Sequence, residues 1–144
     1  MKKERDKIRI LFLCTANACR SQMAEGWAEH LKSDVIEAFS AGIMPAGVSS
    51  RAIKVMAEAG VDISHHTSKH FDELEGIEFD YVVTLCDNAR EFCPVFAGKT
   101  KVIHKSFADP SVLTGKEEVI MDRFRKIRDQ IRHFVETMPE GLEK

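Results

Sequence analysis

The sequence predicts an α/β fold: a single three-layer domain spanning residues 1–144, with a central parallel sheet of about four strands flanked by helices. Three observations predict it. Short apolar runs alternate with segments of helical periodicity. The chain is long enough for one core and contains no linker, repeat or low-complexity segment. Strands that alternate with helices favour right-handed crossovers, which leave the carboxyl ends of all strands at one edge of the sheet.

The first half of the chain contains two predicted strands and two predicted helices. Residues 8–13, "IRILFL", form a short apolar strand, and residues 20–32 form a helix with large apolar residues on one face (Met23, Trp27 and Leu31). Residues 34–42 form a second strand that ends in a glycine turn. Residues 49–60 form a second helix with a serine cap and a glycine stop.

The second half predicts two more strands and a long helix. Residues 79–86, "FDYVVTLC", are rich in aromatic and β-branched residues, which is typical of a buried strand. Residues 99–107 form a short last strand. Residues 117–136 place apolar side chains at helical spacing between charged ones, which predicts a helix lying on the sheet (Ile120, Phe124, Ile127, Ile131 and Phe134).

Composition excludes several classes of protein. Charged residues make up 31% of the chain and the net charge is −2, so no broad basic surface indicates nucleic acid or membrane binding. The basic N-terminus precedes an apolar run too short for a signal peptide or a membrane span. We therefore expect a cytoplasmic protein whose four cysteines are catalytic, redox-active or buried thiols.

The stretch "CTANACR" links the first strand to the first helix and predicts an oxyanion site. Backbone N–H groups that converge before a helix, together with the helix dipole, favour an anion and the thiolate form of Cys14. Arg20 can bind a tetrahedral oxyanion through two donors, and Ser21 can hydrogen-bond the sulfur or the loop. The predicted oxyanion-binding residues are Thr15, Ala16, Asn17, Ala18, Cys19 and Arg20. Asn17 tolerates a positive φ.

Two further groups follow predicted strands. Cys86 ends the third strand and Asp109 follows the fourth, so both are expected at the same edge as Cys14. Simpler interpretations remain open: Cys86 could be a buried core thiol, Cys93 an idle surface thiol, and Asp109 a turn residue before proline. Cys19 is expected to pack in the interior. The histidines at positions 65, 66 and 70 match no zinc template, so no metal site is predicted.

Several motifs together resemble one family. "CTANACRSQMAEGW", "FSAGI", "GVDISHHTS", "VVTLCDNAREFCP" and "FADP" are similar, in order and spacing, to thioredoxin-coupled arsenate reductases, which share their fold with low-molecular-weight protein tyrosine phosphatases. The resemblance implies a phosphatase-like fold with an oxyanion-binding loop after the first strand. It also implies a monomer without a tightly bound cofactor, which binds arsenate, with phosphate or sulfate as mimics, and uses thioredoxin as reductant.

The resemblance also implies a catalytic route. Cys14 attacks arsenate, Asp109 donates a proton and Arg20 neutralises charge. Cys86 then attacks the sulfur of Cys14 and releases arsenite, and Cys93 attacks Cys86 to form the disulfide that thioredoxin reduces.

The spacing of the two later cysteines adds a physical constraint. A helix between them would hold them roughly 10 Å apart, whereas a disulfide needs Cα atoms within about 7 Å. We therefore expect the intervening segment to loop out on oxidation, and its residues to be loosely packed (Asn88, Ala89, Arg90 and Glu91).

The chain departs from the family pattern at two positions. Ala16 stands where many relatives have glycine. Lys69 stands where some reductases have an aspartate near a potassium ion, which is held there by residues that match Asn17, Glu25 and Ser40. We therefore expect activity that is indifferent to potassium.

Two alternative functions remain open. A tyrosine phosphatase would use the same loop cysteine, arginine and aspartate, but "DPSVLTG" lacks the aromatic residues that grip a phenyl ring. A non-catalytic redox or oxyanion sensor would use the same thiols without turnover.

Overall fold

The computed structural model describes residues 7–91, 93–96 and 98–143. Within these ranges four strands form a parallel sheet in the order β2-β1-β3-β4. The strands are β1 (Ile8–Cys14), β2 (Ile36–Gly42), β3 (Tyr81–Thr84) and β4 (Lys101–His104). The helices that flank the sheet are α1 (Arg20–Lys32), α2 (Ser50–Glu58), α3 (Asp87–Glu91) and α4 (Glu117–Glu136). The predicted α/β fold class is confirmed.

Three short 3-10 helices complete the described elements. They are Phe71–Leu74, Pro110–Val112 and Glu140–Glu143. None of the helices in the described ranges is long and apolar enough to cross a membrane.

Most predicted boundaries agree with the structure. Helices α1 and α4 have the predicted bounds, and Ser49 caps α2 by accepting a hydrogen bond from the N–H of Ala52. Strands β3 and β4 are shorter than predicted. β3 ends at Thr84 because the chain then turns into α3, where the carbonyl of Cys86 already accepts a hydrogen bond from the N–H of Arg90.

The core lies between the sheet and the packed helices α1 and α4. Trp27 on α1 is 1% exposed, and its indole N–H donates to the carbonyl of Arg128 on α4 over 3.1 Å. The predicted apolar face of α4 is buried at Phe124, Ile127 and Ile131. This packing holds α1, and with it the loop that precedes α1, against the carboxyl end of β1.

Candidate active site

The segment 14–20, here called the anion loop, connects β1 to α1. Four of its carbonyl groups accept hydrogen bonds from backbone N–H groups of the segment that follows β2. The pairs are Ile43 to Cys14, Met44 to Thr15, Ala46 to Ala16 and Ser49 to Ala18, at 2.8 to 3.2 Å. Within the described residues, the N–H groups of residues 15–19 donate to no backbone carbonyl. Such free amides before a helix are suited to binding an anion.

Asn17 shapes the loop through its backbone and its side chain. Its φ is 49°, the left-handed conformation predicted for it. The buried side chain accepts a hydrogen bond from the N–H of Lys69 over 2.9 Å and donates one to the hydroxyl of Ser21 over 2.7 Å. Asn17 therefore fixes both the curvature of the loop and the orientation of Ser21.

Gly42 is a residue of the site that the sequence prediction missed. It pairs with Cys14 in the sheet register. A Cβ at this position would lie 2.7 Å from the carbonyl oxygen of Thr15 and 2.9 Å from the nitrogen of Asn17, both backbone atoms. The glycine in "FSAGI" signalled a turn, whereas the structure shows that it makes room for the anion loop.

Cys14 lies at the end of β1 with its sulfur inside the loop region. The residue is 2% exposed, and Sγ lies 2.9 Å from the Ser21 hydroxyl. Because the Asn17 amide donates to Ser21 Oγ, the hydroxyl proton of Ser21 is free to be donated to the sulfur. A donor at this distance stabilises negative charge on the sulfur.

Arg20 and Asp109 meet at the opening of the site. Arg20 donates through Nη1 to the carbonyl of Phe107 over 3.0 Å, and its Nη2 lies 3.4 Å from Asp109 Oδ2. Asp109 Oδ1 accepts hydrogen bonds from the backbone N–H and the hydroxyl of Ser111. The carboxylate thus stabilises the turn at Pro110 and also faces Arg20. Asp109 can therefore be both a turn residue and a residue of the site.

Cys86 follows β3 and contacts the anion loop. It is 6% exposed, and its sulfur lies 3.3 Å from the hydroxyl of Thr15. The backbone N–H of Ala89 donates to the same sulfur over 3.4 Å, and the Asn88 amide donates to the Thr15 hydroxyl over 3.2 Å. The structure therefore brings Cys86 to the loop that Cys14 begins.

The two remaining thiols lie in different surroundings. Burial raises the pKa of Cys19 to about 11, although a hydrogen bond with Ser49 opposes that rise. Cys93 is half-buried, and burial raises its pKa too. All four cysteines are free thiols.

The segment between the two later cysteines is packed less loosely than predicted. Asn88, Arg90 and Glu91 are exposed, but Ala89 is fully buried. The prediction was wrong for Ala89, because its side chain faces the core cluster when α3 is formed.

Lys69 lies next to Asn17, at the position where the sequence analysis predicted that a lysine ammonium replaces the potassium ion of some reductases. Its ammonium donates to the carbonyls of Ser40 over 3.3 Å and Thr67 over 3.1 Å. Nearby, burial raises the pKa of Glu25 despite a hydrogen bond from the Ser40 hydroxyl. The lysine charge therefore lies on main-chain oxygens of the kind that bind a monovalent ion.

A second group of polar side chains lies apart from these thiols. Ligand atoms of Glu29, His65 and His66 all lie within 4.8 Å of one another. The sequence analysis predicted no metal site because it considered only the spacing of the histidines. Glu29 lies on α1, far from them in the sequence, and joins them only in the folded chain.

Comparison with known proteins gives consistent similarities. The sequence profile of the family described as low molecular weight phosphotyrosine protein phosphatase matches residues 9–144. An arsenate reductase of Halalkalibacterium halodurans is 42% identical over 131 residues, which cover 91% of this chain and 94% of that protein.

Solved structures agree with this. An arsenate reductase in the phosphate-binding state is 30% identical, with a TM-score of 0.71 over 91% of this chain and 95% of the other. A thioredoxin-dependent arsenate reductase of Corynebacterium glutamicum is 25% identical, with a TM-score of 0.69 over 99% of this chain and 66% of the other.

Proposed function

The chain belongs to the low molecular weight phosphotyrosine protein phosphatase family and is an arsenate reductase of that family, and we propose that it works by a relay of three thiols. Cys14 is the nucleophile, Cys86 and Cys93 carry the oxidation away from it, and a thioredoxin restores the dithiol. The thioredoxin-dependent relative supports the choice of reductant.

The first step is attack of the Cys14 thiolate on the arsenic of arsenate. The free N–H groups of residues 15–19 and the guanidinium of Arg20 bind the arsenate oxygens. Ser21 stabilises the attacking sulfur. A sulfur–arsenic bond forms and an arsenic–oxygen bond breaks, and the departing oxygen leaves as water after Asp109 donates a proton. A relative that binds phosphate supports a tetrahedral oxyanion in this loop.

The second step is attack of Cys86 on the sulfur of Cys14. A sulfur–sulfur bond forms while the sulfur–arsenic bond breaks, and its electron pair stays on arsenic, which leaves as arsenite. Thr15 prepares this step, because its hydroxyl accepts from Asn88 and has its own proton available for the sulfur of Cys86. The donors from Thr15 and Ala89 stabilise negative charge on the attacking thiol.

The third step moves the disulfide outward. Cys93 attacks the sulfur of Cys86, and Cys14 leaves as a thiolate. Cys93 is more exposed than the other thiols, so the new disulfide lies nearer the surface, where the dithiol of a thioredoxin attacks it.

The third step requires α3 to unfold. A helix that ran from Cys86 to Cys93 would hold their Cα atoms roughly 10 Å apart, more than the about 7 Å that a disulfide allows, and α3 forms most of that segment. Loss of α3 would break the contact from Asn88 to Thr15, the contact from the Ser106 hydroxyl to Asp87, and the hydrogen bond from Arg90 to the carbonyl of Cys86. It would also expose Ala89. Among the described residues these are few contacts, so we expect the cost of opening α3 to be small relative to that of global unfolding.

One observation carries the proposal: the sulfur of Cys86 lies 3.3 Å from the hydroxyl of Thr15, the residue next to Cys14. The test incubates fully reduced protein with arsenate and no reductant, measures arsenite, and maps disulfides by mass spectrometry. We expect one arsenite per chain and a disulfide between Cys86 and Cys93. Protein incubated with phosphate instead should keep all four thiols.

Single variants separate the steps. Cys93→Ser should stop at a disulfide between Cys14 and Cys86, still with one arsenite per chain. Cys86→Ser should release no arsenite. Arsenite release by Cys86→Ser would contradict the relay. If wild type and Cys86→Ser both released phosphate from an aryl phosphate and neither reduced arsenate, the protein would instead be a phosphatase.

A further inference from the structure

We propose that Glu29, His65 and His66 form a binding site for a divalent zinc ion, separate from the anion loop. Glu29 lies on the exposed side of α1, and the two histidines lie in the turn that follows Ile63. One oxygen and two nitrogen atoms, one from each side chain, lie within 4.8 Å of one another. Two imidazoles and a carboxylate are a donor set that zinc prefers.

The orientation of the Gln22 amide determines which nitrogen of His66 is available. Gln22 is fully buried, and its amide NH₂ donates to the carbonyls of Asn17 and Thr67, each over 3.0 Å. Its oxygen therefore faces Nδ1 of His66 at 2.9 Å and accepts the proton there. In its neutral form the imidazole is therefore held with its lone pair on Nε2, as in metal sites where a second contact orients the ligand.

The lone pair on Nε2 faces another acceptor. Nε2 of His66 lies 3.1 Å from Oε1 of Glu29. Two acceptors at this distance repel each other unless a proton or a metal ion lies between them. A zinc ion that enters between Nε2 and the Glu29 carboxylate would remove this repulsion.

The geometry needs only small adjustments of exposed side chains. Tetrahedral zinc with bonds of about 2.0–2.1 Å holds its ligands about 3.3–3.4 Å apart. The side chain of His66 is 4% exposed and serves as a fixed anchor, whereas the side chain of Glu29 is 47% exposed and His65 is also exposed. These two can rotate toward an ion that enters from solvent, and water completes the coordination.

A bound ion would fasten the histidine turn to α1. The same turn leads to Thr67, whose carbonyl shares the Gln22 amide with the carbonyl of Asn17 in the anion loop. The zinc site therefore lies one hydrogen-bonded side chain away from the anion loop without using any of the thiols.

The test measures metal binding directly on reduced protein that carries no affinity tag. Zinc binding is measured by calorimetry, and bound metal is counted by elemental analysis after gel filtration. Cobalt serves as a spectroscopic probe, because imidazole and carboxylate ligands give weak visible bands, whereas thiolates give intense charge-transfer absorption in the near ultraviolet.

The variants His65→Ala and Glu29→Gln change exposed side chains, so both should fold. The matched controls are His133→Ala and Glu136→Gln, which alter an exposed histidine–glutamate pair on α4 separated by 3.4 Å.

We expect one zinc ion per chain, weakened at least about tenfold by each of the two site variants and unchanged in both controls. The proposal is overturned if no ion binds, if both site variants bind zinc as wild type does, or if cobalt shows thiolate absorption. Disulfide mapping after arsenate treatment does not depend on this site, so failure here leaves the relay untouched.

Discussion

The variant Gly42→Ala tests whether close backbone packing sets the shape of the anion loop. The added Cβ would lie 2.7 Å from the carbonyl oxygen of Thr15, where ordinary contact begins at about 3.4 Å. The loop would therefore have to retreat by about 0.7 Å. Both nearest atoms belong to the backbone of the loop, so no side-chain rotation can relieve the clash.

The expected effect is kinetic as well as structural. A displacement of about 1 Å at a reacting group costs about 100-fold in rate, so we expect kcat/KM for arsenate to fall about 10- to 100-fold, or about 1.4–2.7 kcal/mol of transition-state stabilisation. Overpacking should also lower the free energy of unfolding by about 1–3 kcal/mol. Turnover is measured through NADPH consumption with thioredoxin and its reductase, and stability by urea denaturation.

Gly26→Ala provides the matched control. Its Cβ would lie 2.6 Å from Cγ2 of Ile63, a side-chain atom that is not part of the anion loop. This variant should lose stability but keep the kcat/KM of wild type. Wild-type kinetics in Gly42→Ala, or an equal kinetic loss in Gly26→Ala, would refute the reasoning.

Four further predictions concern single side chains. Ser21→Ala removes the hydroxyl 2.9 Å from the Cys14 sulfur and should slow alkylation of that thiol about tenfold; an unchanged rate would count against the contact. Asp109→Asn should slow arsenate reduction about 10²- to 10⁴-fold while phosphate binding by calorimetry persists; loss of both would assign it to binding. Burial in the folded chain raises the pKa of Cys19 from 9.0 to about 11, so the folded state prefers the neutral thiol. The free energy of unfolding should therefore fall by up to about 2–3 kcal/mol as the pH rises from 9 to 11. Urea denaturation at pH values below and above this range should show a smaller fall for Cys19→Ala than for wild type. Exchange of sodium for potassium at equal ionic strength should leave turnover unchanged, because the Lys69 ammonium already lies on two main-chain carbonyls; a strong rise with potassium would contradict this.

Periodicity and capping predicted most of the fold. The apolar faces of α1 and α4, the serine cap of α2 and the alternation of strands and helices are local signals, and local signals are readable in a sequence. The ends of β3 and β4 were less readable, because they depend on where the ladder between neighbouring strands stops.

The local geometry of the candidate site was predictable where a backbone conformation or a position at a strand end follows from the residue type. The cysteine, the arginine and the positive φ of Asn17 follow from the demands of an anion loop. Gly42 and Gln22 were not identified, because their roles depend on long-range contacts. Gly42 meets the loop across the sheet, and Gln22 joins Asn17 to Thr67 and His66. The burial of Ala89 is likewise a tertiary property.

The carbonyl groups of the anion loop bear on how the protein tolerates mutation. They are held by N–H groups of the segment after β2, and almost every amino acid supplies such a group whatever its side chain. The side chain of Met44 is 70% exposed, so substitutions at this position should leave the shape of the anion loop unchanged. Proline is the exception, because it lacks the N–H. Pro45 lies between the donors Met44 and Ala46. A proline at either of these two positions would therefore remove one backbone hydrogen bond to the anion loop, whereas other substitutions there would keep it.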